Sequence, residues 1–318
     1  MQEVIRFALL GLGLGSLYSL ASQGLMVIYR GSGVLNFAHG AIGMVGAYIE
    51  WEFKSNGHHV VVAWTAGLLA CALIGALTHL LIMRRLRRAS PLARIVATLG
   101  VLIILQAGAV LRYGSAITFV RSELPVTVVE PFGIIVSLDR FILVGIAAVL
   151  SVGLWALYRF TRFGMATTAV AENQRAAAAV GLSPDWLATI NWALGSALAG
   201  AAAILIAPIV QLQVATMTNL VLAALATALV AGFRSFPVAF FAGMLIGIGQ
   251  SELTRYVDTP GVATSLPFAV IVLWMLLRGQ ALPLRDYFLQ RLPAVGSGRA
   301  HPIAVAVVVV LASLLVMA

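Results

Sequence analysis

Long runs of leucine, alanine, valine, isoleucine and glycine, separated by short clusters of charge, set the pattern of this chain. The runs are 7–29, 34–51, 60–83, 95–111, 141–157, 187–208, 219–233, 237–251, 263–277 and 302–318. A helix needs about 20 apolar residues to cross a bilayer, so the long runs predict spanning helices. The pair 219–233 and 237–251, about 15 residues each, predicts discontinuous helices or a re-entrant hairpin beside a transport pathway. The runs are solid rather than alternating, which excludes a membrane β-barrel. Glu3 and Arg6 precede a first run that continues past signal-peptide length, so no cleavable signal is expected. The predicted fold is an all-α integral membrane protein, a polytopic bundle of about eight to ten transmembrane or half-spanning helices.

Composition sharpens this picture through where the charge falls. The chain of 318 residues is 61% hydrophobic and 10% charged, with mean hydropathy +1.02 and a formal charge of +9. Five arginines (Arg84, Arg85, Arg87, Arg88 and Arg94) crowd into residues 84–94 between two apolar runs. Such a loop is cytoplasmic under the positive-inside rule, and the other loops follow by alternation. The inner segments become 30–33, 84–94, 158–186, 232–236 and 278–301, holding 14 of the 20 Lys and Arg residues but only Glu172, Asp185 and Asp286 as acids. The N-terminus then lies outside. The positive charge is accounted for by orientation, so no nucleic-acid partner is expected.

Candidate chemistry is sparse. Cys71, the single cysteine, lies in an apolar run, so no intramolecular disulfide can form. Lys54 is the only lysine and follows Phe53 rather than glycine, so the chain lacks a phosphate-binding P-loop and ATP-driven work must come from a partner. No Ser-His-Asp ordering, His-Glu-x-x-His motif or paired buried carboxylates appear, so no catalytic residue, metal site or cofactor is expected. Gly11-Leu-Gly-Leu-Gly15 sits inside an apolar run without a preceding strand. Together with Gly243 and Gly247 it reads as close helix packing rather than a dinucleotide loop.

The segment 158–186 is the longest inner one rich in polar residues. Its stretch 165–180 is a strong helix former, with Glu172 and Arg175 three apart on one face. Gly181 suits a helix C′ position, Ser183 an N-cap and Pro184 the first turn of the next helix. Spacing alone leaves two readings, a connector lying on the membrane or a small-residue helix offered to another protein.

Gly164-Met-Ala-Thr-Thr-Ala-Val-Ala-Glu-Asn, continuing through small residues to Gly181, resembles the coupling loop of permease subunits of ABC importers for branched-chain amino acids. The family loop runs Gly-Arg-Ala-x-Arg-Ala-x-Ala-Glu-Asn, then small residues, then glycine. Gly164, Ala166, Ala169, Ala171, Glu172, Asn173 and Gly181 match, whereas Met165 and Thr168 stand where the family has arginine. Val34-Leu-Asn-Phe-Ala-His-Gly40 resembles the family's Ile-Asn-Phe-Ala-His-Gly signature. Ala231-Gly-Phe-Arg-Ser, continuing to Gly247, resembles its glycine-rich stretch. There Gly232, Ser235, Ala239, Gly243 and Gly247 fit, and Arg234, Val238 and Ala242 replace glycines.

The resemblance implies an ABC-importer permease fold, a second permease subunit or half as heterodimer or fusion, two cytoplasmic ATPase subunits and an extracytoplasmic solute-binding protein. It implies coupling to the ATPases through Gly164, Glu172, Asn173, Arg175 and Gly181. Asn36, Phe37, His39, Gly40, Gly232, Ser235 and Gly243 become candidates for the translocation pathway or its gate. On physical grounds alone Asn36 and His39 have a second reading, tying down backbone freed where two helices part. The implied substrate is a branched-chain or other small amphipathic amino acid. Related permeases handle urea, short amides and sugars, and a secondary transporter or channel is the alternative from another class.

The expected organisation is a permease domain over 1–281, a cytoplasmic linker over 282–301 and a further helix over 302–318. That helix reads either as the start of a second permease half or as one extra segment. The expected location is the cytoplasmic membrane of a bacterium or archaeon.

Overall fold

The structure, a computed structural model, describes residues 2–130, 133–259 and 261–278. The expected linker and final helix at 282–318 lie outside the described residues. Eleven α-helices follow in order: α1 (Gln2–Ser32), α2 (His39–Ser55), α3 (Val60–Leu77), α4 (Pro91–Tyr113), α5 (Leu138–Phe160), α6 (Arg162–Glu172), α7 (Gln174–Ala179), α8 (Pro184–Val210), α9 (Val214–Val230), α10 (Phe236–Tyr256) and α11 (Val262–Arg278). A π-helical turn, Thr78–Met83, extends α3. Among the described residues six helices are long and apolar enough to cross a membrane: α1, α3 with its extension, α4, α5, α8 and α10. The sequence predicts eight to ten spanning or half-spanning segments; α9 and α11 are shorter apolar helices that bring the number to eight.

α1 and α8 form the centre. α1 packs on α10, α8, α9 and α5, while α8 also meets α2 and α3. In lipid, helices associate through close packing and interhelical hydrogen bonds rather than hydrophobic collapse, and the α1–α10 contact shows both. A Cβ on Gly15 would stand 2.7 Å from Met244 Cα, and one on Gly11 2.6 Å from Ile248 Cα. The Tyr18 hydroxyl donates to Gln250 Oε1 at 2.9 Å, and Ser251 Oγ donates to the Phe7 carbonyl at 2.7 Å. Gln23, fully buried in α1, donates to Ser19 Oγ and to Ser151 Oγ of α5.

Charge marks the two ends of the bundle. At one end Arg84 and Arg87 pair with Asp185 at the start of α8. Nearby, Arg30 lies over the rings of Tyr158 and Phe236, 5.1 and 4.6 Å from their centroids. At the opposite end Glu52 pairs with Arg112, and Lys54 with Glu123. The loop there carries a two-stranded antiparallel hairpin, β1 (Val128–Val129) and β2 (Val136–Ser137), which the apolar pattern does not announce.

The sequence pattern is corrected at two places. The run beginning at 34 becomes helical only at His39, because α1 stops at Ser32 and Gly33 takes φ +68°. The expected single helix over 165–180 is two helices. Asn173 has φ −149°, and its Oδ1 accepts the backbone N–H groups of Arg175 and Ala176, both at 3.0 Å. It therefore ends α6 and caps α7, and Glu172 and Arg175 do not share a helical face.

Candidate functional site

The break between α1 and α2 lies deep in the bundle. Residues 33–38 are non-helical, and the His39 ring that follows reaches the Ala21 carbonyl near the middle of α1, 2.9 Å from Nε2. A carbonyl only accepts, so Nε2 carries a proton. Asn36 Oδ1 accepts the Ala38 N–H at 3.0 Å, and the Phe37 N–H donates to Thr98 Oγ1 at 3.3 Å. Non-helical backbone at membrane depth persists only where protein or a cavity satisfies it, and these side chains perform that service. Asn36 Nδ2 and His39 Nδ1 are buried without a hydrogen-bond partner among the described residues.

Gly40 leaves no room for a side chain against the Thr218 carbonyl of α9. Beside it a cavity of about 20 Å³ is lined by Ala21, His39, Gly43, Ala199 and Leu220. That volume holds about one water, so the bundle is closed here. Truncating Asn36 to alanine removes the turn bond and is expected to cost about 1 kcal/mol. The check is a fall of a few degrees in the thermal midpoint of the detergent-solubilised protein; an unchanged midpoint would deny Asn36 this role.

The structure gathers Asn36, Phe37, His39 and Gly40, and it separates the other three pathway candidates from them. Gly232, with φ +60°, makes the turn between α9 and α10, where Phe233 also takes a positive φ of 56°. Ser235 caps α10 by accepting the Val238 N–H at 3.3 Å. Gly243 packs on α1, where a Cβ would fall 2.7 Å from the Ser19 nitrogen.

The coupling candidates cluster at the end marked by Arg84 and Arg87. α6 turns back sharply from α5, and Gly164 permits it because a Cβ would stand 2.6 Å from the Leu157 carbonyl. Gly181 takes φ +87° and closes α7 with paired bonds, Leu182 N–H to Ala177 O at 3.1 Å and Gly181 N–H to Ala178 O at 3.0 Å. These are the two bonds of a Schellman motif. Ser183 then caps α8, with Pro184 in its first turn. Thr167 and Val170 of α6 and Ala177 of α7 face the bundle, while Met165, Ala169, Glu172, Asn173, Arg175 and Gly181 are exposed.

The residues that bind this region to the bundle, Tyr158, Thr167, Asn191 and Trp192, are not among the candidates that the sequence motifs offer. Asn191 accepts from the Tyr158 hydroxyl and donates to Thr167 Oγ1 at 3.2 Å. Trp192 Nε1 donates to Ser32 Oγ at 3.0 Å. A lone asparagine inside an apolar run was the available signal, since a polar group at that depth must find partners.

A family model described as "Branched-chain amino acid transport system / permease component" matches residues 7–277. The high-affinity branched-chain amino acid transport system permease protein LivH of Escherichia coli K12 is 24% identical, over 84% of this chain and 91% of its own length. The probable branched-chain amino acid transport permease protein LivH of Methanocaldococcus jannaschii is 28% identical, over 76% of this chain and 78% of its own. Among solved structures, PsaBC from Streptococcus pneumoniae in complex with Fab is similar at 14% identity, covering 87% of this chain and 92% of that one, with a TM-score of 0.48. The match spans nearly all the described helices, and with it the chain belongs to the family of permease components of branched-chain amino-acid transport systems.

Proposed function

We propose that the chain is the translocation subunit of an ATP-driven importer for branched-chain or other small amphipathic amino acids. In this reading the Arg84–Arg87 end of the bundle is cytoplasmic and the N-terminus is outside, in the cytoplasmic membrane of a bacterium or archaeon. A second permease subunit or half completes the pathway, two ATPase subunits bind below, and an extracytoplasmic binding protein delivers solute. ATP binding and hydrolysis shift the bundle between states open to either side. The break at Asn36, Phe37, His39 and Gly40 gates passage; Gly232, Ser235 and Gly243 act on it by placing α10.

The observation that carries this reading is the α6–α7 pair. It stands at the arginine-rich end, with Glu172, Asn173 and Arg175 exposed among small residues, on a chain without a P-loop of its own. Small side chains let a partner's backbone approach closely, and the bend at Asn173 with the turn at Gly181 gives the pair a fixed shape. Pull-down of the tagged protein from its native membrane tests the reading. Two ATPase subunits are expected with the wild type and are expected to be lost from the double variant Glu172→Ala/Arg175→Ala. ATPases retained by both would move the contact elsewhere. Their absence from an intact wild-type complex would favour an ATP-independent transporter.

A further inference from the structure

We infer that Asn191 is a positioning residue that carries movement of α6–α7 into the break after α1; the inference rests on the importer reading above. Asn191 is fully buried in α8. Its Nδ2 donates to Thr167 Oγ1 of α6 at 3.2 Å and to the Leu187 carbonyl at 2.7 Å, and its Oδ1 accepts from the Tyr158 hydroxyl of α5. One amide therefore ties three helices, using both donors and its acceptor. Each bond is directional, and breaking one leaves a polar group stranded in an apolar surrounding. The backbone route from α6 to α8 is a poorer strut, because it bends at Asn173 and again at Gly181, where φ is −149° and +87°.

Beyond this knot the contacts continue to the gate candidates. Gly31 lies flat on Asn191; a Cβ there would stand 2.7 Å from the Asn191 Cγ. The next residue of α8, Trp192, holds Ser32 through its Nε1–H at 3.0 Å. Two consecutive residues of α8 thus grip the last two of α1. At Gly33 the helix stops, and the chain then passes Asn36 to the His39 ring on the Ala21 carbonyl. α6 also packs directly on α1, but a shift of α6 transmitted through Thr167 displaces Asn191, and Asn191 lies against the end of α1 that sets the break.

The test uses the assembled importer in proteoliposomes with its ATPase subunits and binding protein, with leucine as the probe and leucine taken up per ATP hydrolysed as the readout. Thr167→Val keeps the shape of the side chain and removes its hydroxyl; Thr167→Ser keeps the hydroxyl; Asn191→Leu removes all three bonds at similar volume. Thr167→Val and Asn191→Leu are expected to retain the ATPase subunits and ATP hydrolysis while uptake per ATP falls about tenfold. Thr167→Ser is expected to couple as the wild type does. Should Asn191→Leu fail to assemble, the Thr167 pair decides. Wild-type uptake per ATP in Thr167→Val, or uptake and hydrolysis falling together, would reduce the knot to structure and overturn the inference. A wild-type assembly without ATP-dependent leucine uptake would overturn the importer reading instead.

Discussion

Replacing Gly247 by leucine is expected to leave little folded protein. A Cβ at that position would lie 2.6 Å from the Gly11 carbonyl oxygen and closer still to the Gly15 backbone. The three nearest atoms all belong to the backbone of α1, so no side-chain movement relieves them and the two helices must part. Parting them removes the contacts of Gly11, Gly15 and Gly243 together with the Tyr18–Gln250 and Ser251–Phe7 bonds. No hydrophobic force holds helices together in lipid, so lost contact area is not regained elsewhere in the interface. Ordinary overpacking costs about 1–3 kcal/mol. Forcing whole helices apart belongs with the exceptional losses of about 4 kcal/mol or more. The variant should therefore elute as aggregate after detergent extraction, with Gly247→Ala intermediate. Gly108→Leu on α4, where a Cβ meets nothing within 4 Å, should behave as the wild type. A Gly247→Leu protein with a wild-type thermal midpoint would show that α10 does not need this contact.

Those glycines were legible in the sequence because their spacing of four residues puts them on one helix face whatever surrounds them. The end of the α6–α7 segment was legible for a similar reason. Gly181, Ser183 and Pro184 act through their own backbone geometry, and the structure uses each at its expected position. Asn173 shows where such reading stops. The alanine-rich surroundings favour a continuous helix, yet its short amide can bond its own backbone two and three residues on, and that local competition wins. The pathway candidates do not sit together, for another reason. Gly232, Ser235 and Gly243 are close to one another in sequence, but one makes a turn, one caps a helix and one packs on α1. The hairpin at 128–137 depends on cross-strand pairing that no apolar run announces. Asn191 was visible as a polar residue at depth, but its partners at 158 and 167 come from other helices, and only packing brings them together.

Trp192→Ala is expected to cost about 3–5 kcal/mol, the range for truncating a large buried aromatic. Trp192 is fully buried and packs with Ile28 of α1, Val34 of the break and Met83 of the π-helical turn. It thus fills the space behind the point where α1 ends. Trp192→Phe largely separates its two contributions, because phenylalanine keeps most of the ring contact and loses the Nε1–H bond to Ser32 together with part of the indole's packing. Ser32 Oγ still donates to the Ile28 carbonyl at 2.9 Å, so it is not stranded, and the phenylalanine variant should lose about 1–2 kcal/mol, from the bond and the small space left behind. Thermal midpoints in detergent should therefore fall in the order wild type, Trp192→Phe, Trp192→Ala, with the first step the smaller. Adding Ser32→Ala to Trp192→Phe should cost less than Ser32→Ala does in the wild type, since the bond they share is already gone. Equal losses for the phenylalanine and alanine variants would mean that the hydrogen bond, not the ring, holds the break. The expected order would mean that α8 fixes where α1 stops by filling space, with Gly33 supplying only the backbone freedom to turn there.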